Sequence, residues 1–280
     1  MKIFKRFSIM ADRIIAFARD IGGKLFCERA INRFDKKVQL DSMPQGFKLF
    51  TGCLAEPVVD LEFTYNKHGS FQTRDLSLSL AKLVRDQIAI HKELISGYLP
   101  TPIRLDDMYL SCISPSLAEK KGVSEGWHHD HCGHRLKMFI CLLGDGTTPT
   151  LYIPGSHKRR YQMNFRQLLR ILGFSDYSVK SSSVAMGLAT GDVGIFDSNG
   201  THRGEFTEES SERICLVLEF IAVEKSNYIS KYCPCGPGGS KFESINMSRE
   251  VKEVLQETGF LDEDLLKNDD QLFNYSISNL

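Results

Sequence analysis

The stretch WHHDHCGHRLKMFICLLGDGTTPTLYIPGSHK, residues 127–158, decides the fold class of this chain. Its two apolar runs, RLKMFICLLG and TLYIPGS, are short, rich in β-branched and aromatic residues, and bounded by glycine, proline and aspartate, as strands joined by turns are. Similar runs, DMYLSCIS, DVGIFDS and ERICLVLEFIAV, lie on either side. So many short strands within residues 107–223 predict a mainly β protein with flanking helices and a double-sheet jelly-roll core.

The segment before this core has a different pattern. We expect residues 1–106 to form a mostly helical N-terminal support. Apolar residues recur at helical spacing near its start, and again over 75–98, where Asp75 could cap a helix that Pro100 ends. Short strand-like pieces also occur in this segment, at 47–50 and 58–63.

Two further helical regions complete the predicted organisation. A helical insert, 157–173, interrupts the strands of the core. Residues 224–280 are predicted to be a loop followed by acidic helices, with Ser248 as a cap for REVKEVLQE. We therefore expect one domain, 1–280.

Composition and charge exclude several classes of protein. The chain has 280 residues, 42% of them hydrophobic, and its 35 Lys/Arg balance 35 Asp/Glu. A neutral chain gives no global electrostatic reason to expect nucleic-acid binding. No apolar run approaches the roughly 18 residues that span a bilayer. Cys112, Cys141 and Cys215 lie in strand-like runs, which favours buried thiols in a reducing compartment, so we expect a cytoplasmic protein.

The two ends of the chain have opposite charges. Residues 1–37 hold ten Lys/Arg and four Asp/Glu, whereas residues 249–280 hold three and eight. Two interpretations stay open. The ends are solvated helices that pair with each other, or the basic N-terminal helix makes a peripheral contact with an anionic membrane surface. Composition does not predict the oligomeric state.

A His-x-Asp pattern, followed far along the chain by another histidine, is the most informative chemical feature. His128 and Asp130 are two residues apart, so on a strand their side chains point to one face. With His202 they form two imidazoles and one carboxylate, the facial set that binds non-haem Fe(II) and leaves coordination positions open. Open positions indicate catalysis rather than a purely structural metal.

Arg213 is the next candidate, eleven residues after His202. At the start of a core strand it would reach into the barrel, where a buried guanidinium needs an anion such as a dicarboxylate. A surface charge paired with a neighbouring glutamate is the alternative.

At this point the sequence resembles a known family. WHHDH (127–131), TLYIPGSHK (150–158), GDVGIFDSNGTHR (191–203) and Arg213 follow the order and spacing of the phytanoyl-CoA hydroxylase family, the Fe(II)- and 2-oxoglutarate-dependent oxygenases. The resemblance covers residues 107–223. It implies a cupin-like double-stranded β-helix, with Fe(II), 2-oxoglutarate, O2 and helpful ascorbate as cofactors and co-substrates.

The resemblance also implies roles for particular residues. His128, Asp130 and His202 correspond to the iron ligands, and Arg213 corresponds to the partner of the distal carboxylate of 2-oxoglutarate. Thr150 would line the same pocket. One departure is Gly204, which stands where the family often has a serine as a second carboxylate donor. The implied reaction is hydroxylation of an unactivated C–H bond, coupled to decarboxylation of 2-oxoglutarate to succinate.

The substrate remains open among small metabolites, lipid-linked sugars and acyl compounds. A basic cluster follows the PGSH turn, and we expect it to cover an anionic substrate, although a solvated helix face is the alternative. Its candidate residues are His157, Lys158, Arg159 and Arg160, with Arg166 and Arg170 on the insert. His157 is also compatible with a structural hydrogen bond in the turn.

Two other functions remain possible on the same fold. One is a cupin-like metal enzyme that does not use 2-oxoglutarate and would not need Arg213. The other is a catalytically silent binding module, which the intact triad disfavours. Of the remaining candidates, we expect His131 and His134 at the surface, Trp127 packed beneath the triad strand, and Cys233 and Cys235 in a loop.

Overall fold

The computed structural model describes residues 27–54, 68–73, 76–118, 127–130, 133–161, 182–205, 207–232 and 248–261. Several sequence predictions lie outside these ranges. They are the N-terminal amphipathic helix, the strand-like piece at 58–63, His131, most of the insert 157–173 with Arg166 and Arg170, Cys233, Cys235 and the acidic end of the chain.

Nine strands and four helices make up the described part. The strands are β1 (Phe47–Phe50), β2 (His68–Thr73), β3 (Ile103–Ala118), β4 (Leu136–Leu143), β5 (Thr150–Tyr152), β6 (Val184–Met186), β7 (Val193–Asp197), β8 (His202–Gly204) and β9 (Arg213–Ala222). The helices are α1 (27–35), α2 (Leu78–Tyr98), α3 (Val223–Tyr232) and α4 (Arg249–Gln256).

The strands form two antiparallel sheets. The larger sheet has the order β1-β7-β4-β9-β3-β2, and the smaller has the order β6-β5-β8. Between β4 and β9 the chain crosses from one sheet to the other four times, as it does in a jelly roll. The prediction of a mainly β protein with a jelly-roll core and flanking helices is confirmed.

The N-terminal third contributes more than helical support. β1 pairs with β7, and β2 pairs with β3, so both are strands of the larger sheet. The core strand β3 starts at Ile103 rather than at 107, and the segment after 223 begins with α3 rather than a loop. The expectation of a mostly helical N-terminal support was therefore incomplete. β1 coincides with the strand-like piece predicted at 47–50, whereas β2 was not predicted, because HGSFQT has no apolar run.

Helix α2 covers the outer face of the larger sheet. Leu80, Val84, Ile88 and Ile95 recur at helical spacing and are buried in the main apolar cluster with alternate residues of the sheet strands. The helix is capped by Ser77, whose side chain accepts a hydrogen bond from the backbone N–H of Leu80, and not by Asp75 as the sequence suggested. With its outer face closed, the sheet turns its inner face to the barrel interior.

Three smaller features concern the helices and the cysteines. Ser248 caps α4 by accepting a hydrogen bond from the N–H of Val251, as predicted. Among the helices that the structure describes, none has the length and hydropathy needed to cross a bilayer. Cys112, Cys141 and Cys215 are free and buried as predicted, whereas Cys27 of α1 is disulfide-bonded.

Candidate metal centre

A two-residue backbone pairing brings the first two candidate ligands together. His128 and His202 form an isolated antiparallel bridge, and each backbone N–H donates to the other's carbonyl, at 2.9 and 2.8 Å. Their ring centroids are 4.5 Å apart. The sequence prediction placed His128 on a regular strand, but in the structure only this bridge is formed, and it joins His128 to the first residue of β8 in the smaller sheet.

Asp130 completes the set from a loop position. Its backbone N–H donates to the carbonyl of Ser198 at 2.9 Å, which holds the loop against the end of β7. Its Oδ1 lies 3.8 Å from Nε2 of His128 and 3.8 Å from Nε2 of His202. The side chains of His128 and Asp130 therefore converge, although Asp130 is not part of a strand.

The ring of His202 is held in one orientation. Its Nδ1 lies 2.9 Å from the carbonyl of Gly200, and because a carbonyl only accepts, Nδ1 carries the proton and Nε2 keeps its lone pair. Tyr152 stacks against the ring at 6.4 Å, and Phe196 contacts it edge-on at 5.2 Å. A side chain at position 200 would collide with the hydroxyl of Tyr152, so this turn requires glycine.

The three side chains fit a divalent metal ion. One ligand atom from each lies within 4.8 Å of the others. Two donors that each bind an ion at about 2.1 Å are at most about 4.2 Å apart, so the 3.8 Å separations need little adjustment. Two neutral imidazoles and one carboxylate are also the donor set that suits Fe(II) with open positions. The side chain of His128 is 43% exposed, which places the open side of the site there.

Lys137 contacts the carboxylate of this site, which the sequence analysis missed. Its Nζ lies 2.7 Å from Oδ2 of Asp130 and 3.2 Å from Oε1 of Glu219. Lys137 on β4 is directly opposite Glu219 on β9, so both side chains point into the barrel. The pairing register produces this contact, and the register could not be read from the sequence.

Further ion pairs extend from Glu219 into the interior of the barrel. Arg135 pairs with Glu219 at 2.8 Å and also with Asp106. The carboxylate of Asp106 in turn accepts from the hydroxyl of Ser226 on α3 at 3.0 Å. Alternating charges thus run from the candidate metal ligand to the opposite end of the barrel.

The site keeps its ligands in the protonation states that a metal needs. Burial raises the pKa of Asp130, but the charge of Lys137 and the nearby imidazoles outweigh it and hold the pKa below its ordinary value. Burial lowers the pKa of His202 to about 4 despite the opposing effect of Asp130. At neutral pH the site therefore offers a carboxylate and an unprotonated imidazole.

Arg213 lies inside the same barrel, as its position at the start of β9 predicted. It is 6% exposed, and its Nη1 donates to the carbonyl of Thr148 at 2.7 Å and to Oγ1 of Thr150 at 3.4 Å. Among the described residues, no carboxylate pairs with it. The alternative of a surface arginine paired with a glutamate does not fit this position.

The inner face between Arg213 and the metal ligands is mainly apolar. Phe139 lies under the guanidinium, with 5.9 Å between its ring centroid and Cζ of Arg213. Cys141, Cys215 and Val217 form a buried cluster beside it. A pocket with one cation and apolar walls suits a small dianion that has a short carbon chain.

The basic residues after the PGSH turn face a different surface from the one we expected. Lys158, Arg159 and Arg160 are exposed and line a groove of about 570 Å³ together with residues of α1. None of the three metal ligands lines it. Tyr161, at its end, contacts the ring of His129 at 5.4 Å, and His129 is the neighbour of His128. The groove thus runs behind the metal centre.

His157 and His134 are interior residues. His157 is fully buried and packs against Gly46 and Tyr152, a position that favours packing over contact with a substrate. His134 is 6% exposed and its Nδ1 bonds the carboxylate of Asp197, so the surface position predicted for it was wrong. The hydrophilic sequence around His134 suggested a solvated loop, and α1 covers that loop.

Trp127 does not pack beneath the metal ligands. Its ring lies under the guanidinium of Arg203, with 4.9 Å between Cζ and the ring centroid, and Arg203 also bonds Glu205 at 2.7 Å. Since Trp127 and Arg203 adjoin His128 and His202, this cation–π contact reinforces the bridge that joins the two histidines.

Comparison with protein-family models finds no match, and comparison with curated proteins finds none either. Solved structures of low similarity are found. The non-heme alpha ketoglutarate dependent epimerase SnoN from nogalamycin biosynthesis is 14% identical with a TM-score of 0.48, over 69% of this chain and 84% of that one. The carbocyclase SnoK from the same biosynthesis is 17% identical with a TM-score of 0.47, over 75% and 92%.

A third structure is HygX from Streptomyces hygroscopicus with nickel and 2-oxoglutarate bound. It is 15% identical with a TM-score of 0.44, over 66% of this chain and 85% of that one. Similarity at this level does not identify the reaction of this chain, which has to be argued from its own residues.

Proposed function

We propose that this protein is an Fe(II)- and 2-oxoglutarate-dependent dioxygenase that hydroxylates a C–H bond of a small anionic molecule. The observation that supports it best is the pairing of two features inside one barrel. A His-Asp-His set that fits Fe(II) lies at the mouth, and a buried arginine without a carboxylate partner among the described residues lies deeper. A metal enzyme that does not use 2-oxoglutarate has no use for that arginine.

The protein's own residues would bind and orient the reactants. His128, Asp130 and His202 would hold Fe(II), which with 2-oxoglutarate and O2 supplies the oxidising power for C–H cleavage. Arg213 would bind the distal carboxylate through its planar fork, and Thr150, whose hydroxyl is 3.4 Å from that guanidinium, would orient it. Phe139 and its apolar neighbours would keep water from the reacting end.

The metal prediction is tested by anaerobic titration with Fe(II). His202→Ala should abolish binding at this site, because it removes one of three ligands. Ascorbate should support turnover by keeping the iron reduced, and succinate release against a panel of anionic metabolites reports it. Activity that survives exhaustive chelation would refute the assignment.

The co-substrate prediction concerns Arg213. Arg213→Ala should weaken 2-oxoglutarate binding by about 2–5 kcal/mol, at least roughly thirtyfold, since a buried carboxylate loses its charged partner. Fe(II) binding should stay normal. The metal-to-ligand absorption band of the anaerobic Fe(II) protein measures the affinity. Arg104→Ala is a matched control, because Arg104 is similarly buried, 4% exposed, near the other end of β9. Equal affinity in the Arg213 variant and the parent would contradict the role.

The anionic class of the substrate rests on a basic groove that none of the candidate metal ligands lines, so it would act by attracting the substrate rather than by holding it at the metal. Three cations that follow the PGSH turn face two from α1 and one, Lys36, directly after it, and among the described residues none of the six has a carboxylate partner. They are Arg29, Arg33, Lys36, Lys158, Arg159 and Arg160. The groove's one carboxylate, Asp35, is already paired with the buried ammonium of Lys225. In a neutral protein this is a focused positive field that attracts an anion.

A double charge reversal tests the groove. Arg159→Glu with Arg160→Glu should raise the KM for the substrate and leave 2-oxoglutarate affinity unchanged. The effect should shrink with salt, because the Debye length falls from roughly 10 Å at 0.1 M to roughly 3 Å at 1 M. Lys48→Glu with Lys82→Glu is the control, since these exposed lysines lie outside the groove. An unchanged KM in the double variant at low salt would identify the cluster as a solvated face.

A further inference from the structure

Two cysteines face each other on the inner wall of the pocket that contains Arg213. Cys141 on β4 and Cys215 on β9 are directly opposed in the sheet register, and both are free thiols. Both are buried, 0% and 2% exposed, and the thiol of Cys141 donates to the carbonyls of Leu143 and Leu188, each at 3.4 Å. A Cβ placed at Gly144 would lie 3.0 Å from Sγ of Cys141 and 3.6 Å from Cγ of Arg213, so these groups share one small space.

The backbone register of this pair suits a cross-strand disulfide. The N–H of Cys141 donates to Asp192, and its carbonyl accepts from Gly191, both at 2.9 Å and both on the β7 side. Because a residue in an antiparallel strand points its N–H and C=O to the same neighbour, Cys141 makes no backbone bond to Cys215. Such pairs have Cα atoms about 4.5 Å apart, within the range of about 4.4–6.8 Å that a disulfide requires.

The surroundings shift the pKa values of the two thiols in opposite directions. The facing thiol of Cys141 and the positive charge of Arg213, two residues away on the same face, outweigh burial and lower the pKa of Cys215. The same thiol pairing raises the pKa of Cys141. Cys215 is thus the more nucleophilic sulfur, and Cys141 stands beside it as a second thiol.

We propose that Cys141 and Cys215 are an oxidative modification site, which hydrogen peroxide converts to a disulfide. The Cys215 thiolate attacks one peroxide oxygen, the O–O bond breaks, and hydroxide leaves as water after taking a proton, which gives a sulfenic acid. The thiol of Cys141 then attacks that sulfur. The S–S bond forms, the S–O bond breaks, and a second water leaves. Two thiols are oxidised and one peroxide is reduced to two waters.

The occupancy of the pocket should control this oxidation. This part rests on the proposed function, in which Arg213 binds the distal carboxylate of 2-oxoglutarate. A carboxylate at Arg213 would offset the charge that lowers the pKa of Cys215 and would block the approach of peroxide. A smaller thiolate fraction and a blocked approach both slow the attack on peroxide, so we expect slower oxidation when the pocket is filled.

The disulfide is tested by peptide mapping of the metal-free wild-type protein, treated with hydrogen peroxide in chelator and then alkylated. Trypsin should place each sulfur in a separate peptide, 138–158 for Cys141 and 214–225 for Cys215. We expect these two peptides cross-linked, with two hydrogens lost, and separated again by dithiothreitol. Cys53→Ser should behave as wild type, and Cys215→Ser should give no cross-link. Recovery of both peptides fully alkylated after peroxide would overturn the proposal.

The coupling to the co-substrate has its own measurement. The rate of cross-linking is compared with and without 2-oxoglutarate and redox-inert Zn(II), in wild type and in Arg213→Ala. Protection in wild type that is lost in the variant supports the coupling, and equal rates overturn it. Failure of the reduced Fe(II) protein to bind 2-oxoglutarate would contradict the proposed function instead, since cross-linking of the metal-free protein needs no ligand.

Discussion

Replacing Lys137 by methionine should destabilise the metal-free protein and strengthen divalent metal binding. Methionine keeps the length and apolar stem of lysine but removes the ammonium between Asp130 and Glu219. Glu219 retains Arg135 at 2.8 Å, whereas Asp130 loses its one ammonium or guanidinium partner among the described residues. Removing one member of a buried ion pair costs about 3–5 kcal/mol. Asp130 is 23% exposed, so we expect the lower end, about 3 kcal/mol.

Lys137 makes two opposing contributions to metal affinity, and their balance decides whether Lys137→Met binds metal more or less tightly. An outer-sphere hydrogen bond to a metal ligand typically contributes 10–100-fold to affinity, about 1.4–2.8 kcal/mol. Against this, a divalent ion about 2.1 Å from Asp130 would lie about 5 Å from the ammonium. Their repulsion is about 6–7 kcal/mol at an effective dielectric constant of 20. Even half of that repulsion exceeds the orienting contribution, by about 0.5–1.9 kcal/mol, so the variant should bind metal roughly two- to twentyfold more tightly.

Urea unfolding with excess chelator and with saturating Mn(II) measures both effects. The variant should lose about 3 kcal/mol without metal and clearly less with it. Lys48→Met is the control, because Lys48 is an exposed residue of the edge strand β1 and should change neither quantity by more than about 0.5 kcal/mol. Metal affinity that falls 10–100-fold in Lys137→Met would refute the electrostatic reasoning and assign Lys137 to orienting the carboxylate.

Two further predictions concern pH and packing. The free energy of unfolding of the metal-free protein should fall as the pH is lowered from about 6.5 to about 4, because burial lowers the pKa of His202 to about 4 and the unfolded chain binds the proton first. His202→Gln should flatten this dependence in urea titrations at each pH, and an equally steep dependence in the variant would assign the effect elsewhere. Gly46→Ala should cost several kcal/mol, whereas Gly52→Ala should cost only about 1 kcal/mol. Both have positive φ, but a Cβ at Gly46 would lie 2.4 Å from Nδ1 of His157 and nothing lies within 4 Å at Gly52. Equal losses in thermal unfolding would show that backbone conformation alone sets the cost.

The sequence predicted the parts of the site that depend on local spacing. His-x-Asp places two ligands within reach of each other on almost any extended backbone, and Arg213 could be placed because it starts a long apolar strand. The strands of the core were visible because each alternates or runs apolar over enough residues. The strand-like piece at 47–50 coincides with β1, whereas β2 was not predicted, because its sequence HGSFQT has no apolar run.

The features that depend on long-range register could not be read from the sequence. Lys137 reaches Asp130 and Glu219 only because β4 and β9 pair in one particular register. The same register places Cys141 opposite Cys215. His134 stands in a polar, glycine-containing segment, and its burial depends on α1 covering it. The basic groove likewise joins α1 to the PGSH turn, more than a hundred residues away in the sequence.

The position of β9 between β3 and β4 has a consequence for synthesis on the ribosome. Both β3 and β4 emerge well before residues 213–222, yet each uses β9 as a neighbour. Until β9 emerges, the nascent chain therefore has two long apolar strands with open edges, which is the arrangement most prone to associate with other chains. The strand that closes those edges also brings Arg213 and Glu219 into the barrel. We expect chaperone dependence to be greatest in the interval between the translation of Leu143 and that of Ala222.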